Sequence, residues 1–188
     1  MAENLAKEEA AVDARRSREL LDPLFTTEKM RAIFSDHGRL QAMLDFEAAL
    51  ARAAARTGAI PPAAGAAIAA HCRAERFDVG ALAAAAAHSG NTAIPLVNAL
   101  TALVGRSDAE AARYVHWGAT SQDAMDTGLV LQLREALALF DSDLGRLSAA
   151  LAALAETHAA TPLAGRTWLQ QGPPVTLGLK AEIGRAHV

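Results

Sequence analysis

From Thr27 onward, apolar residues return at steps of three and four, the spacing of one face of an α-helix. Thr27 can cap a short helix that ends at Phe34, and Ser35 with Asp36 can cap a longer one. Within the longer one, Leu40, Leu44, Phe46, Leu50 and the intervening alanines recur at helical spacing. Gly58 supplies a C-terminal stop, and Pro61-Pro62 restarts the chain. Asp78 can cap a helix from Val79 to Ala87, after which His88-Ser89-Gly90-Asn91-Thr92 breaks the pattern. A helix from Pro95 to Val104 follows, then Gly105-Arg106-Ser107-Asp108, another short helix, and a loop from Tyr114 to Thr120. The longest signal is Val130, Leu133, Leu137, Phe140, Leu144, Leu147, Leu151 and Leu154, which alternates threes and fours without a slip. With Ser121 as cap and Thr161-Pro162 as terminator, this predicts a helix of about 40 residues, roughly 60 Å long. Such a helix is too long for a small globule to cover, so an extended bundle shared with other subunits is expected. A two-helix hairpin within one chain is the alternative. Pro173-Pro174 can start a further helix at Val175.

Composition agrees with an all-α fold. Just over half of the 188 residues are hydrophobic, alanine dominates them, and aromatic residues are few. The net charge of -3 is spread without blocks, which argues against a nucleic-acid face and a polybasic membrane patch. Charged residues or histidine interrupt every alanine-rich run, so no membrane span is expected. The single cysteine, Cys72, fits a reducing cytoplasm and reads as a small buried apolar residue. Residues 1–19 are polar and charged with no signal-peptide core, and are expected to be a disordered or spurious extension.

Two loops place polar residues beside long apolar helices. Tyr114 to Asp123 ends where the long helix begins, so Thr120 and Ser121 lie beside unpaired N–H groups and the positive end of the helix dipole. This suits a carboxylate. The plainer alternative is that Ser121 only caps the helix, with Asp123 in its first turn. In Gly165 to Pro174, Arg166, Thr167 and Gln170 offer donors for anionic oxygens, or form an ordinary interhelical turn with a solvated arginine. Asn91 and Thr92 can hydrogen-bond a ligand carboxylate or cap the Pro95 helix. Of the six histidines, only His116 neighbours a motif. No histidine pair has metal-ligand spacing, and there is no Gly-rich phosphate loop or nucleophile elbow.

Together these segments carry a resemblance. His116-Trp117-Gly118-Ala119-Thr120-Ser121-Gln122-Asp123 resembles the first signature of the fumarase/aspartase superfamily, and Gly165-Arg166-Thr167 with Gln170 resembles the second. Within that superfamily the chain is similar to the bacterial 3-carboxy-cis,cis-muconate cycloisomerases from about Leu21 to Lys180. The shared phrases include Met43 to Leu50, Gly90 to Val97, Ala119 to Gly128 and Arg166 to Gln170. The resemblance implies a small N-terminal helical domain over residues 20–115, and over 116–181 the start of a long-helix bundle domain. It implies ring closure of a small-molecule tricarboxylate, 3-carboxymuconate, to 4-carboxymuconolactone, in the protocatechuate (β-ketoadipate) branch of aromatic catabolism. Neither cofactor nor metal is implied, and a cytoplasmic homotetramer is. On the matching positions, Thr120 and Ser121 hold a substrate carboxylate, with Asn91, Thr92, Arg166, Thr167 and Gln170 completing the pocket and His116 as a catalytic candidate.

The departures are informative. Trp168 stands where superfamily lyases usually carry a proton-transferring histidine, and its indole can only donate a hydrogen bond. That favours a cycloisomerase over an adenylosuccinate lyase-like enzyme, the nearest rival. Many cycloisomerases carry histidine where this chain has Gln171. The family's third signature, a mobile loop with the catalytic serine, is absent, so the chain is expected to be an inactive fragment. Residues 182–188, Glu182 to Val188, resemble the in-frame translation of a sequencing-library adapter, and an adapter-derived tail is expected there. A rival of another class is a helical interaction module without chemistry. The seam supports it equally, and the polar clusters argue against it.

Overall fold

The computed structural model describes residues 22–186. The expected extension at residues 1–19 lies outside them. Helices carry the fold, in two compact units: one runs to Leu133 and the second begins at Arg134.

In the first unit, α1 is Asp22–Phe25, α2 is Glu28–Phe34 and α3 is Asp36–Arg56. The expected caps hold: Thr27 Oγ1 accepts from the Met30 N–H at 3.2 Å, and Ser35 Oγ from that of Gly38 at 3.0 Å. After α3 the chain turns at Gly58, whose φ of +75° costs a residue without Cβ little. Next come α4, Pro62–His71, and a 3₁₀ turn at Ala74–Arg76. Gly65 lets α4 approach α3, because a Cβ there would meet that of Ala55 at 2.6 Å.

Helix α5 is Val79–Ser89, capped by Asp78, whose Oδ1 accepts from the Ala81 N–H at 3.0 Å. It runs two residues beyond the expected end, stopping where Gly90 turns left-handed. Helix α6, Ala93–Gly105, starts two residues before Pro95. In a first turn the proline has no intrahelical N–H bond to lose. The short helix expected after Asp108 is a 3₁₀ turn at Ala111–Tyr114. The core gathers Leu40, Met43 and Leu44 of α3, Ile68 of α4, and Leu96, Leu100 and Val104 of α6. Full burial of each large side chain contributes roughly 1.5–3 kcal/mol.

The long helix is α7, Ser121–Thr157, 37 residues and so about 55 Å in length. Its buried face in the first unit is small or polar: Ala124, Gly128 and Gln132, spaced by four. A Cβ on Gly128 would approach Met43 Cγ to 2.9 Å, and Gln132 donates to the Ile33 carbonyl. The apolar seam lies elsewhere on the helix. Val130 and Leu137 are 60% exposed, and Leu133, Phe140, Leu144, Leu147 and Leu154 are also exposed.

In the second unit, α7 is followed by four two-residue strands: β1 Pro162–Leu163, β2 Arg166–Thr167, β3 Gln170–Gln171 and β4 Val175–Thr176. They form two antiparallel ladders, β1 with β4 and β2 with β3. The helix expected from Val175 begins instead at Leu177, as α8, Leu177–Arg185. Val175 has no side-chain acceptor and is used in the ladder, whereas Thr176 is extended and its Oγ1 accepts from the Leu179 N–H at 3.1 Å. Within the stretch assigned on sequence to a non-native tail, Glu182 continues α8 and pairs with Arg185 at 3.0 Å.

Candidate functional site

The first unit brings the N-termini of α6 and α7 together through one amide. Asn91 follows the Gly90 turn, and its Oδ1 accepts from the N–H groups of Ala93 at 2.8 Å and Ile94 at 3.2 Å. Its Nδ2 donates to Ser121 Oγ at 3.1 Å. The cap role and the cross-helix role therefore belong to the same side chain, and both ends of the amide are used.

Ser121 is the first residue of α7, not its cap. The Thr120 N–H donates to Asp123 Oδ2 at 2.9 Å, the returning half of a capping box, and so Thr120 holds the cap position. With its oxygen accepting from Asn91, Ser121 keeps its own hydroxyl proton for another acceptor. The cap thus sits one residue earlier than expected, and the Ser121 hydroxyl serves instead as the acceptor for Asn91.

His116 precedes this turn with φ +58°, a left-handed conformation unusual for a residue with Cβ. Two contacts hold it there. Its Nδ1 lies 2.5 Å from Glu47 Oε1, and its ring meets Phe46 edge-on, with centroids 6.5 Å apart. Glu47 projects from α3 and is 1% exposed. Burial pushes its carboxyl above the usual carboxylate range, while the hydrogen bond with His116 and the charge of its ring oppose that rise. Its second oxygen, Oε2, has no hydrogen-bond partner among the described residues.

His116, Thr120 and Ser121 share a cavity of about 270 Å³ with Ile94, Val97 and Asn98. Thr92 is not part of it. Its hydroxyl lies 3.9 Å from the Met43 sulfur, and it lines a separate recess with Leu40 and Arg39. A larger groove between α5 and α6 is lined by alanines and leucines together with Arg76, Asp78, Asn98 and Arg106. Among the described residues, no cluster of three or more His, Cys, Asp or Glu could hold a metal ion, and no helix is long and apolar enough to cross a membrane.

In the second unit, Arg166, Thr167 and Gln170 lie on the β2–β3 hairpin. Thr167 pairs with Gln170, and its Oγ1 donates to the Gln170 carbonyl at 3.3 Å. All three are exposed, as are Trp168 and Leu169 at the tip, and Leu169 is left-handed at φ +63°.

Glu47 was missed on sequence. The available signal was a carboxylate within the apolar stripe Leu40, Leu44, Ala48 and Ala51. A charge in such a stripe is buried only with a partner. The neighbouring Cys72 is 4% exposed, and burial, with Glu47 nearby, pushes its thiol up to about 12. A thiol held protonated in this way is a packing residue rather than a nucleophile.

A family model described as Lyase matches residues 25–186. The chain belongs to this lyase family. Over 164 residues this lyase-family chain is 65% identical to the 3-carboxy-cis,cis-muconate cycloisomerase of Pseudomonas aeruginosa, covering 87% of its own length and 36% of the relative's. It is 48% identical over 162 residues to a nitrosuccinate lyase of Streptomyces davaonensis, covering 86% of itself and 34% of that protein. The crystal structure of the 3-carboxy-cis,cis-muconate lactonizing enzyme from Pseudomonas putida superimposes with a TM-score of 0.84 at 62% identity, covering 87% of this chain and 37% of that one. The fold is fumarase/aspartase-like. The chain therefore spans little more than a third of the length of the relatives it matches.

Proposed function

We propose that this chain supplies the front part of a 3-carboxy-cis,cis-muconate cycloisomerase, a cytoplasmic homotetramer in which the α7 seam is covered by other subunits. The observation that carries this reading is the Asn91–Ser121 hydrogen bond, which leaves the Ser121 hydroxyl proton free beside the N-terminus of α7. Identity to relatives bearing that activity supports it.

In the ring closure, a carboxylate oxygen forms a C–O bond at one carbon of a conjugated double bond, and a proton joins the other carbon. Negative charge builds on the carboxylate conjugated with that second carbon. Preorganised donors at a helix N-terminus stabilise charge of this kind. Ser121 and Thr120 supply them here, and His116 stands on the same cavity as the candidate proton-exchanging group. In the second unit, Arg166, Thr167 and Gln170 are proposed as donors for carboxylate oxygens.

The test is Ser121→Ala in the whole protein, following loss of carboxymuconate absorbance. Losing a hydrogen bond to a charged oxygen costs about 1.5–3 kcal/mol, or roughly ten- to a hundredfold in kcat/KM. Full activity in the variant sinks the reading of Ser121. Turnover of adenylosuccinate in preference to carboxymuconate sinks the substrate class, and an active monomer in light scattering sinks the assembly.

A further inference from the structure

Among the described residues of the first unit, Glu47 is the most deeply buried charged side chain, and it reaches the cavity through His116. Its Oε1 shares a hydrogen with His116 Nδ1 at 2.5 Å, and its Oε2 is unpartnered among the described residues. The His116 side chain is 14% exposed, its Nδ1 faces Glu47, and it lines the cavity together with Thr120 and Ser121. No hydrogen bond to Nε2 is made among the described residues.

We propose that Glu47 is the positioning residue for His116: it engages Nδ1 and makes Nε2 the nitrogen that exchanges a proton or hydrogen bond with an anionic ligand beside Ser121. This rests on the cycloisomerase reading of that cavity and extends it to the group that orients the histidine.

Counting protons on the pair shows why. With one proton, the ionised carboxylate accepts Nδ1–H, and Nε2 presents a lone pair. With two, the hydrogen between Nδ1 and Oε1 remains and Nε2–H becomes a donor, whichever partner nominally owns the shared proton. Each gain or loss of a proton by the pair thus appears at Nε2. A carboxylate can play this part and an amide cannot, because glutamine is equally able to turn its NH₂ toward Nδ1 and leave the ring in the opposite tautomer. The left-handed backbone at His116 is consistent with a ring pinned from behind.

The experiment labels histidine with ¹⁵N in the whole protein and reads the His116 ring nitrogens by long-range proton–nitrogen correlation. The probe is tricarballylate, a stable tricarboxylate. The unaltered protein is expected to show neutral His116 protonated at Nδ1, with the Nε2 resonance the one that moves on adding tricarballylate. Glu47→Gln is expected to shift the ring toward Nε2–H and to lower kcat about 10²- to 10⁴-fold at nearly constant KM, as wrong-tautomer variants do. A neutral Nε2–H tautomer in the unaltered protein, at a pH where the pair holds a single proton, overturns the proposal without reference to any variant. So does a folded Glu47→Gln protein with unchanged tautomer and unchanged kcat. If the unaltered protein binds tricarballylate but does not consume carboxymuconate, the cycloisomerase reading fails while the tautomer measurement still decides the role of Glu47.

Discussion

Replacing Asn91 by alanine is expected to destabilise the first unit more than replacing Ser121, although the two share one hydrogen bond. Asn91→Ala orphans two N–H donors at the start of α6, those of Ala93 and Ile94, and also removes the donor to Ser121 Oγ. Loss of an N-cap costs about 1 kcal/mol, with a range of roughly 0.5–2. Loss of a part-buried neutral hydrogen bond adds about 1 kcal/mol. The sum is about 2 kcal/mol, to be measured by urea unfolding followed by circular dichroism. Ser121→Ala removes only the second contribution, because the cap of α7 is built from Thr120 and Asp123, so its cost is about 1 kcal/mol. The double variant should show a coupling of about 1 kcal/mol, since the shared bond is counted once. Asn91→Asp keeps the acceptor for α6 and should recover about half of the loss, the cap contribution of about 1 kcal/mol. Equal destabilisation by Asn91→Ala and Ser121→Ala, or strict additivity in the double variant, refutes the bridging role of Asn91.

Three further outcomes follow from the packing. Gly65→Ala places a methyl 2.6 Å from Ala55 Cβ and 2.9 Å from the Ala51 carbonyl, so overpacking of about 1–3 kcal/mol should lower the urea midpoint. Cys72 should resist iodoacetamide at pH 8 in the folded protein and react once unfolded in urea, as read by mass spectrometry. Because its folded pKa is raised from 9.0 to about 12, it lowers stability as pH rises from about 9 toward 12, and Cys72→Ala should flatten that alkaline loss. The chain on its own, with Leu137 60% and Phe140 53% exposed, should self-associate in analytical ultracentrifugation, and Leu137→Asp should weaken that association.

Much of the helical frame was legible in the chain. Thr27, Ser35 and Asp78 cap where their residue types and positions say they should, because capping is decided within four residues. The length of α7 followed from an unbroken period, which is also local. Small shifts arose where two nearby residues compete for the same task. With Asn91 capping it, α6 begins at Ala93 rather than Pro95; Thr120 replaced Ser121 as the cap of α7; and with Thr176 capping it, α8 begins at Leu177 rather than Val175. In each case the winner offers an acceptor or a free N–H from outside the helix, a matter of geometry finer than composition.

The polar loops could be named from sequence, yet whether their side chains meet could not. Asn91 reaches Ser121 across 30 positions, and Glu47 reaches His116 across 69. Thr92, adjacent to Asn91, turns instead toward Met43. Sequence alone determined that this protein is built of helices, where most of them begin and end, and that polar residues cluster at the head of the longest one. Tertiary packing alone decided which of those residues meet around one cavity, because bringing α3, α6 and α7 side by side sets the distances between side chains that no local period encodes.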